Sequence, residues 1–128
     1  MRLLMDTHAL LWWLAGDERL SLPARDAIAS RDNMVHVSAA SAWEIATKHR
    51  LGKLPGAGPL AVDFAAEVIA NGFTPLHITL AHGQDAGSLP GPHRDPFDRM
   101  LIAQARTERM GLVSNEKAFD DYGVVRIW

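Results

Sequence analysis

The chain of 128 residues has no cysteine. That excludes disulfides, thiolate nucleophiles and cysteine-held zinc or iron–sulfur centres, and it accords with a reducing cytoplasm, where the protein is expected to act. Charge of either sign is not in excess. The formal net charge is −2, which argues weakly against a general nucleic-acid coat and leaves open an enzyme that touches a short stretch of RNA. Long apolar runs are missing too. The N-terminal MRLLMDTHALLWWLAGDE carries Asp6 and His8 inside its apolar stretch, with no small-residue cleavage site after it; neither a signal peptide nor a membrane span is expected. Six histidines are present without an HExxH or other close pairing, which removes the usual zinc arrangement. Internal repeats and low-complexity tracts are absent.

What is there is 48% hydrophobic and 22% charged, enough apolar material for one core in a single domain spanning residues 1–128. Arg2–Met5 reads as a buried strand ending at Asp6, and His8–Ala15 as a helix stopped by Gly16. Ser21–Ser30 reads as a helix with Ser21 as its cap and Pro23 in its first turn. Met34–Val37 is a second strand, followed by a helix from Ser41 to Arg50 and a Gly/Pro loop over Lys53–Pro59. Leu60–Asn71 has helical apolar spacing. Phe73–Ile78 is a strand that Pro75 marks as weak or at an edge. A short helix over Thr79–Ala86 and a loop over Leu89–Arg94 come next. Asp95–Met110 is the clearest helix, with Gly111 as its stop, and Leu112–Ser114 and Val124–Trp128 close the series as strands. Strands alternating with helices predict an α/β fold, a three-layer α/β/α sandwich with a central parallel sheet, whose strand ends gather on one edge where ligands bind.

Four carboxylates fall on that edge: Asp6 after the first strand, Glu44 one turn into the helix after the second, Asp98 in the first turn of the long helix, and Glu116 past the fourth strand. Crowded carboxylates raise one another's pKa unless a cation sits between them. An all-oxygen set suits Mg²⁺ or Mn²⁺, and such an ion activates water for phosphodiester hydrolysis. Each acid also has a plainer reading. Asp6 can cap the helix after it, Ser41-x-x-Glu44 has the form of a capping box, and Glu44 stands four residues before Lys48 as a helix ion pair. Asp95-Pro96-Phe97-Asp98 has the form of a helix start, with Asp95 as cap and Asp98 favoured by the helix dipole. Glu116 alone reads as a surface acid.

At these residues the chain resembles the PIN-domain ribonucleases, in particular the VapC-type toxins of prokaryotic toxin–antitoxin pairs. The resembling stretches are LLMDTHALLWWL (Leu3–Leu14), VSAASAWEIATKHRLGKL (Val37–Leu54), HRDPFDRMLIAQA (His93–Ala105) and LVSNEKAFDDYGV (Leu112–Val124), in the family's order and over most of the chain. The resemblance implies a parallel α/β/α sandwich, an acidic Mg²⁺ or Mn²⁺ site, RNA cleavage, a cognate antitoxin protein that blocks the site, and commonly a homodimer. It places the family's acids on Asp6, Glu44 and Asp98, with Asp95 as a further acid. The family's last motif reads Thr-x-Asp, whereas here it is Ser114-Asn115-Glu116; the longer Glu116 is expected to reach an ion only through water.

Thr7, Ser38 and Ser114 offer hydroxyls beside the acids, for a metal-bound water or for ordinary capping. Lys48, Arg50, Lys53, Arg94 and Arg99 are cations near the acids in sequence, and Arg94, Arg99 and Lys48 are the candidates to hold RNA phosphates. Trp12, Trp13 and Trp43 read as core or interface residues rather than base-stacking platforms. Two other functions compete with the metal-dependent endoribonuclease. A phosphate-acceptor signalling domain needs an Asp ending a middle strand, and the middle strands in sequence end in Ser38 and Ile78. A non-catalytic PIN-like binding module is favoured only by Glu116.

Overall fold

The computed structural model describes residues 1–128. Five strands form one fully parallel sheet: β1 (Arg2–Met5), β2 (Met34–Ser38), β3 (Thr74–Leu76), β4 (Gly111–Val113) and β5 (Arg126–Ile127). Their order across the sheet is β3-β2-β1-β4-β5. The chain steps outward from β1 to β2 to β3, returns past them to β4, and ends on β5. Right-handed crossovers put the outward helices on one face and the returning helices on the other. The direction reverses between β1 and β4, and that is where an open α/β sheet leaves a crevice at its strand ends. The middle strand in space is therefore β1, which leads into Asp6, and not a strand ending in Ser38 or Ile78 as the order in sequence suggested.

The outward face is covered by α1 (Thr7–Ala15), α2 (Leu22–Ala29), α4 (Gly58–Val62) and α5 (Phe64–Ala70). Leu3, Met5, Val35, Val37 and Val113 meet Leu10, Ile28, Leu60 and Val68 there in one apolar cluster. The returning face is covered by α6 (Leu80–Ser88) and α7 (Pro96–Thr107). Leu4 and Leu112 pack there against Leu101, Ile102, Ala105, Phe119 and Tyr122. Strand side chains alternate between faces, so His36 and Ser38 share the second face with Leu4. Between the layers runs α3 (Ala39–Arg50), with Ala40 in the second cluster and Ile45 in the first.

Several elements depart from the sequence reading, each for a local reason. The helix expected over Leu60–Asn71 breaks at Asp63, whose carboxylate leaves the helical path to accept from the Ala66 amide and cap α5. The loop over Lys53–Pro59 contains a 3₁₀ turn at Pro55–Ala57 and the start of α4. Ser38, not Ser41, caps α3, accepting from the Ala40 amide at 3.0 Å. Ser41 thus lies inside the helix, buried, and the capping-box reading of Ser41-x-x-Glu44 fails. The long helix ends at Thr107, and Arg109 (φ 55°) makes the left-handed turn that Gly111 was expected to make. Gly111 instead starts β4 at a point of close approach, where a Cβ would stand 2.9 Å from the Ile127 side chain. An unforeseen 3₁₀ stretch, Lys117–Tyr122, supplies Phe119 and Tyr122 to the second cluster. No helix is long and apolar enough to cross a membrane.

Candidate active site

Asp6 follows β1 directly. Its backbone amide donates to the Val113 carbonyl of β4 at 3.0 Å, and its carboxylate caps α1 by accepting from the Ala9 amide at 2.7 Å. The cap reading is thus correct, and it fixes the carboxylate at the reversal point of the sheet, where only 6% of the residue is exposed. Burial raises its pKa, against the Ser114 hydroxyl and the Ala9 amide, which favour the charge; Glu44 adds to the rise. Aspartate 6 is therefore both a cap and a carboxylate that feels a second acid.

Glu44 is buried on α3. Thr7 Oγ1 donates to its Oε1 at 2.6 Å and lies 3.0 Å from Ser41 Oγ. Lys48 bonds its other oxygen, Oε2. The expected i,i+4 pair is present, but with one member inside the protein. Burial pulls the Lys48 ammonium down, yet Glu44, Asp95 and Asp98 together outweigh burial and raise its pKa.

Asp98 comes from the first turn of α7. Asp95 caps that helix as expected, accepting from the Phe97 and Asp98 amides at 2.9 and 3.1 Å. Asp98's carboxyl is pushed up to about 6, first by burial and then by Asp95 and Glu44, while His93 opposes the shift. His93 Nε2 stands 2.9 Å from Asp98 Oδ2. His93 has no metal-type spacing, and its only signal in the sequence is its place five residues before Asp98, just ahead of the start of α7. Gly91, in the loop before α7, has φ +100°, and a Cβ there would come within 2.6 Å of the Tyr122 hydroxyl, which in turn accepts from the His93 amide at 3.1 Å.

Other candidates go elsewhere. Glu116 is exposed, accepts from the Ala118 amide at 3.3 Å as the cap of the 3₁₀ stretch, and does not act on Asp6 or Asp98. The expected fourth carboxylate on the edge is thus turned to a cap. Ser114 Oγ accepts from the Glu116 amide at 3.0 Å and stands beside Asp6. Arg99, a candidate to hold phosphate, is engaged as a staple: its guanidinium donates to the carbonyls of Ala86, His93 and Leu89. Arg94 is exposed. Ser38 donates to buried Gln104 at 2.5 Å and makes no contact with the acids. Trp12 and Trp13 pack against Trp128 and Phe73, as expected of core residues, whereas Trp43 is 62% exposed and meets Phe97 edge-on.

Asp6, Glu44, Asp95 and Asp98 thus act electrostatically on one another, directly or through a neighbour, from the end of β1, the middle of α3 and the start of α7. No three acid or histidine side chains stand close enough together to ligate one ion as they lie. The donor set still fits a hard divalent cation, because it is all oxygen, poorly solvated and short of positive charge; the Lys48 amine already answers that shortage.

A family model, the PIN domain, matches residues 3–125. The chain belongs to the PIN-domain family. It is 32% identical over 117 residues to "Ribonuclease VapC22" of Mycobacterium tuberculosis, covering 89% of this chain and 86% of that one. A shorter match to "Ribonuclease VapC16" of the same organism is 46% identical over 50 residues. Solved structures share the fold across nearly the whole chain. The Rickettsia felis VapBC2 complex bound to promoter DNA aligns with a TM-score of 0.71 at 12% identity, covering 98% of this chain and 97% of that one. The M. tuberculosis VapC20 toxin, described as cleaving the sarcin–ricin loop, aligns at 0.67 and 20% identity, covering 96% of each. This family membership removes the phosphate-acceptor reading, even though Asp6 does follow a middle strand.

Proposed function

We propose that this PIN-domain protein is a Mg²⁺- or Mn²⁺-dependent endoribonuclease of the VapC type, the toxin of a toxin–antitoxin pair, acting in the cytoplasm on RNA. The observation that carries the reading is that Glu44 acts electrostatically on both Asp6 and Asp98 near the reversal point of the sheet, with Asp98 pushed up to about 6 by burial and by Asp95 and Glu44. Asp6, Glu44 and Asp98 would hold the divalent ion, which supplies an activated water and charge compensation at phosphorus. Thr7 keeps Glu44 in place and Asp95 keeps the start of α7 in place. His93 holds Asp98 Oδ2.

The partner reading is an antitoxin whose segment enters the acidic cleft with a basic side chain. An apolar groove of about 220 Å³ beside the acids, lined by Ala40, Trp43, Ile78, Phe97 and Met100, suits the anchoring part of that segment. VapC relatives solved as VapBC complexes support it. A homodimer is the expected assembly.

Purified protein should cut RNA in Mg²⁺ or Mn²⁺ and stop when EDTA is added. Asp6→Asn should lower the rate by more than about 100-fold, beyond what losing an outer partner costs. A folded Asp6→Asn protein that cuts at the normal rate would remove the site. Expression of the chain alone should arrest growth, and expression of Asp98→Asn should not. Folded protein that binds the ion yet leaves RNA whole would favour the binding-module reading.

A further inference from the structure

Lys48 sits in an unusual place for a surface cation. An i,i+4 Glu–Lys pair on an open helix face is a weak, salt-screened contact. Here the Glu44 side chain is 4% exposed and that of Lys48 is 31% exposed. The other Glu44 oxygen is already taken by Thr7 at 2.6 Å. Asp95 and Asp98, from a different helix, also attract the ammonium. The amine therefore bonds Glu44 on α3 within the field of the acids of α7, at a cluster where no three acids yet converge on one point.

We propose that Lys48 is the resident counter-cation of the acid cluster: its ammonium holds Glu44 Oε2 in the ion-free protein and must leave before a divalent ion binds, so that Lys48 and the ion compete for the same carboxylates. This rests on the metal-dependent reading above. The physical basis is short-range electrostatics. Two cations cannot share one carboxylate oxygen at low solvation without strong repulsion, and buried Asp6 and Glu44 beside half-buried Asp98 would repel one another without any cation. Because about a third of the Lys48 side chain is exposed, the displaced amine can swing outward without crossing packed protein. The chain then has a built-in threshold: the ion must outbid an amine tethered one helical turn away.

The competition predicts opposite signs for two measurements. Lys48→Gln should bind Mn²⁺ about tenfold tighter than wild type, because the competitor is gone. The same variant should melt earlier without the ion, because Glu44 is left buried and unpaired. Lys48→Arg keeps the charge and should stay closer to wild type in Mn²⁺ affinity. Direct Mn²⁺ titration by paramagnetic resonance reads the affinities without any RNA.

A second measurement uses wild-type protein alone, so it stands even if Lys48→Gln does not fold. Acylation of lysine amines, followed by mass spectrometry, should show Lys48 reacting faster in saturating Mn²⁺ than in EDTA. Lys53 and Lys117, the other two lysines, are internal controls and should not change. Weaker Mn²⁺ binding by Lys48→Gln, or a Lys48 acylation rate that saturating Mn²⁺ leaves unchanged, would overturn the inference while leaving the metal reading intact. Wild-type protein that binds no Mn²⁺ would overturn both together.

Discussion

On one face of the sheet, Leu3, Met5, Val35, Val37 and Val113 meet an entirely apolar layer of helices. On the other, the same strands present Leu4 and Leu112 beside buried His36 and Ser38. The second face contains a chain of polar contacts. Ser38 donates to Gln104, and Gln104 Nε2 donates to the His77 carbonyl at 3.3 Å. His82 Nδ1 accepts from the Thr79 amide at 3.1 Å, so its Nε2 carries the proton and donates to Glu108 at 2.9 Å. No buried side-chain polar atom lacks a partner. Apolar packing tolerates small shifts, whereas a satisfied polar network specifies one arrangement. The outward face supplies stability; the returning face, which delivers Asp98, supplies registration.

That contrast can be broken by substitution. The largest effect should come from the apolar face: Leu10→Ala is expected to cost about 2–5 kcal/mol in thermal or urea unfolding. It should leave the Mn²⁺ affinity of the folded fraction as it was; a changed affinity would mean that the two faces are not separate in function. On the polar face, Gln104→Leu should cost about 1–3 kcal/mol, because the Ser38 hydroxyl and His77 carbonyl lose a buried partner. If it proves neutral, the network is not a source of registration.

A smaller effect of opposite sign is expected at Asp98. Its pKa is raised to about 6 from an ordinary 3.8, so the folded chain holds this proton more tightly than the unfolded chain. The stability this gives is full below about pH 4 and lost as pH rises through about 6. Asp98→Asn never ionises. Without divalent ion it should exceed wild type by roughly 1–2 kcal/mol at pH 7.5, and the two should converge near pH 4. A gap that is the same at both pH values would assign the effect to something other than this carboxyl. The smallest effect belongs to Glu116, exposed and serving as a cap: Glu116→Gln should shift stability by about 0.5 kcal/mol or less and leave the Mn²⁺ dependence of RNA cleavage unchanged. A clear loss of metal affinity would return Glu116 to the site.

What could be read from the sequence divides along similar lines. Local signals held where one residue type has one dominant use: Asp95-Pro96 as a helix start, the apolar run into Asp6, and Pro75 on an edge strand. The resemblance to PIN-domain ribonucleases was carried by four motifs and is matched by family membership. What could not be read depends on atoms brought together by the fold. Arg99 looked like a free cation because its three carbonyl partners lie 6–13 residues away, at the end of α6 and in the loop after it, whose path no local pattern gives. His93 looked idle because its partner stands in the first turn of the helix after it. Ser41 had the form of a cap, but Ser38 was equally able and closer to the strand end. The middle of the sheet was misplaced because order in sequence does not state order in space.

One bond sets when any of this can exist. The Asp6 amide is held by the Val113 carbonyl at 3.0 Å, and the Ser114 hydroxyl beside it comes from the same late strand. The first acid of the site is thus completed by residues near the other end of the chain. Parallel pairing of distant segments forms late in folding, because long loops must close first. A growing chain that has not yet reached β4 carries Asp6 on an unpaired strand, without its hydroxyl neighbour and without α7. The candidate site is thus assembled only once β4 has paired with β1, late in the folding of the domain.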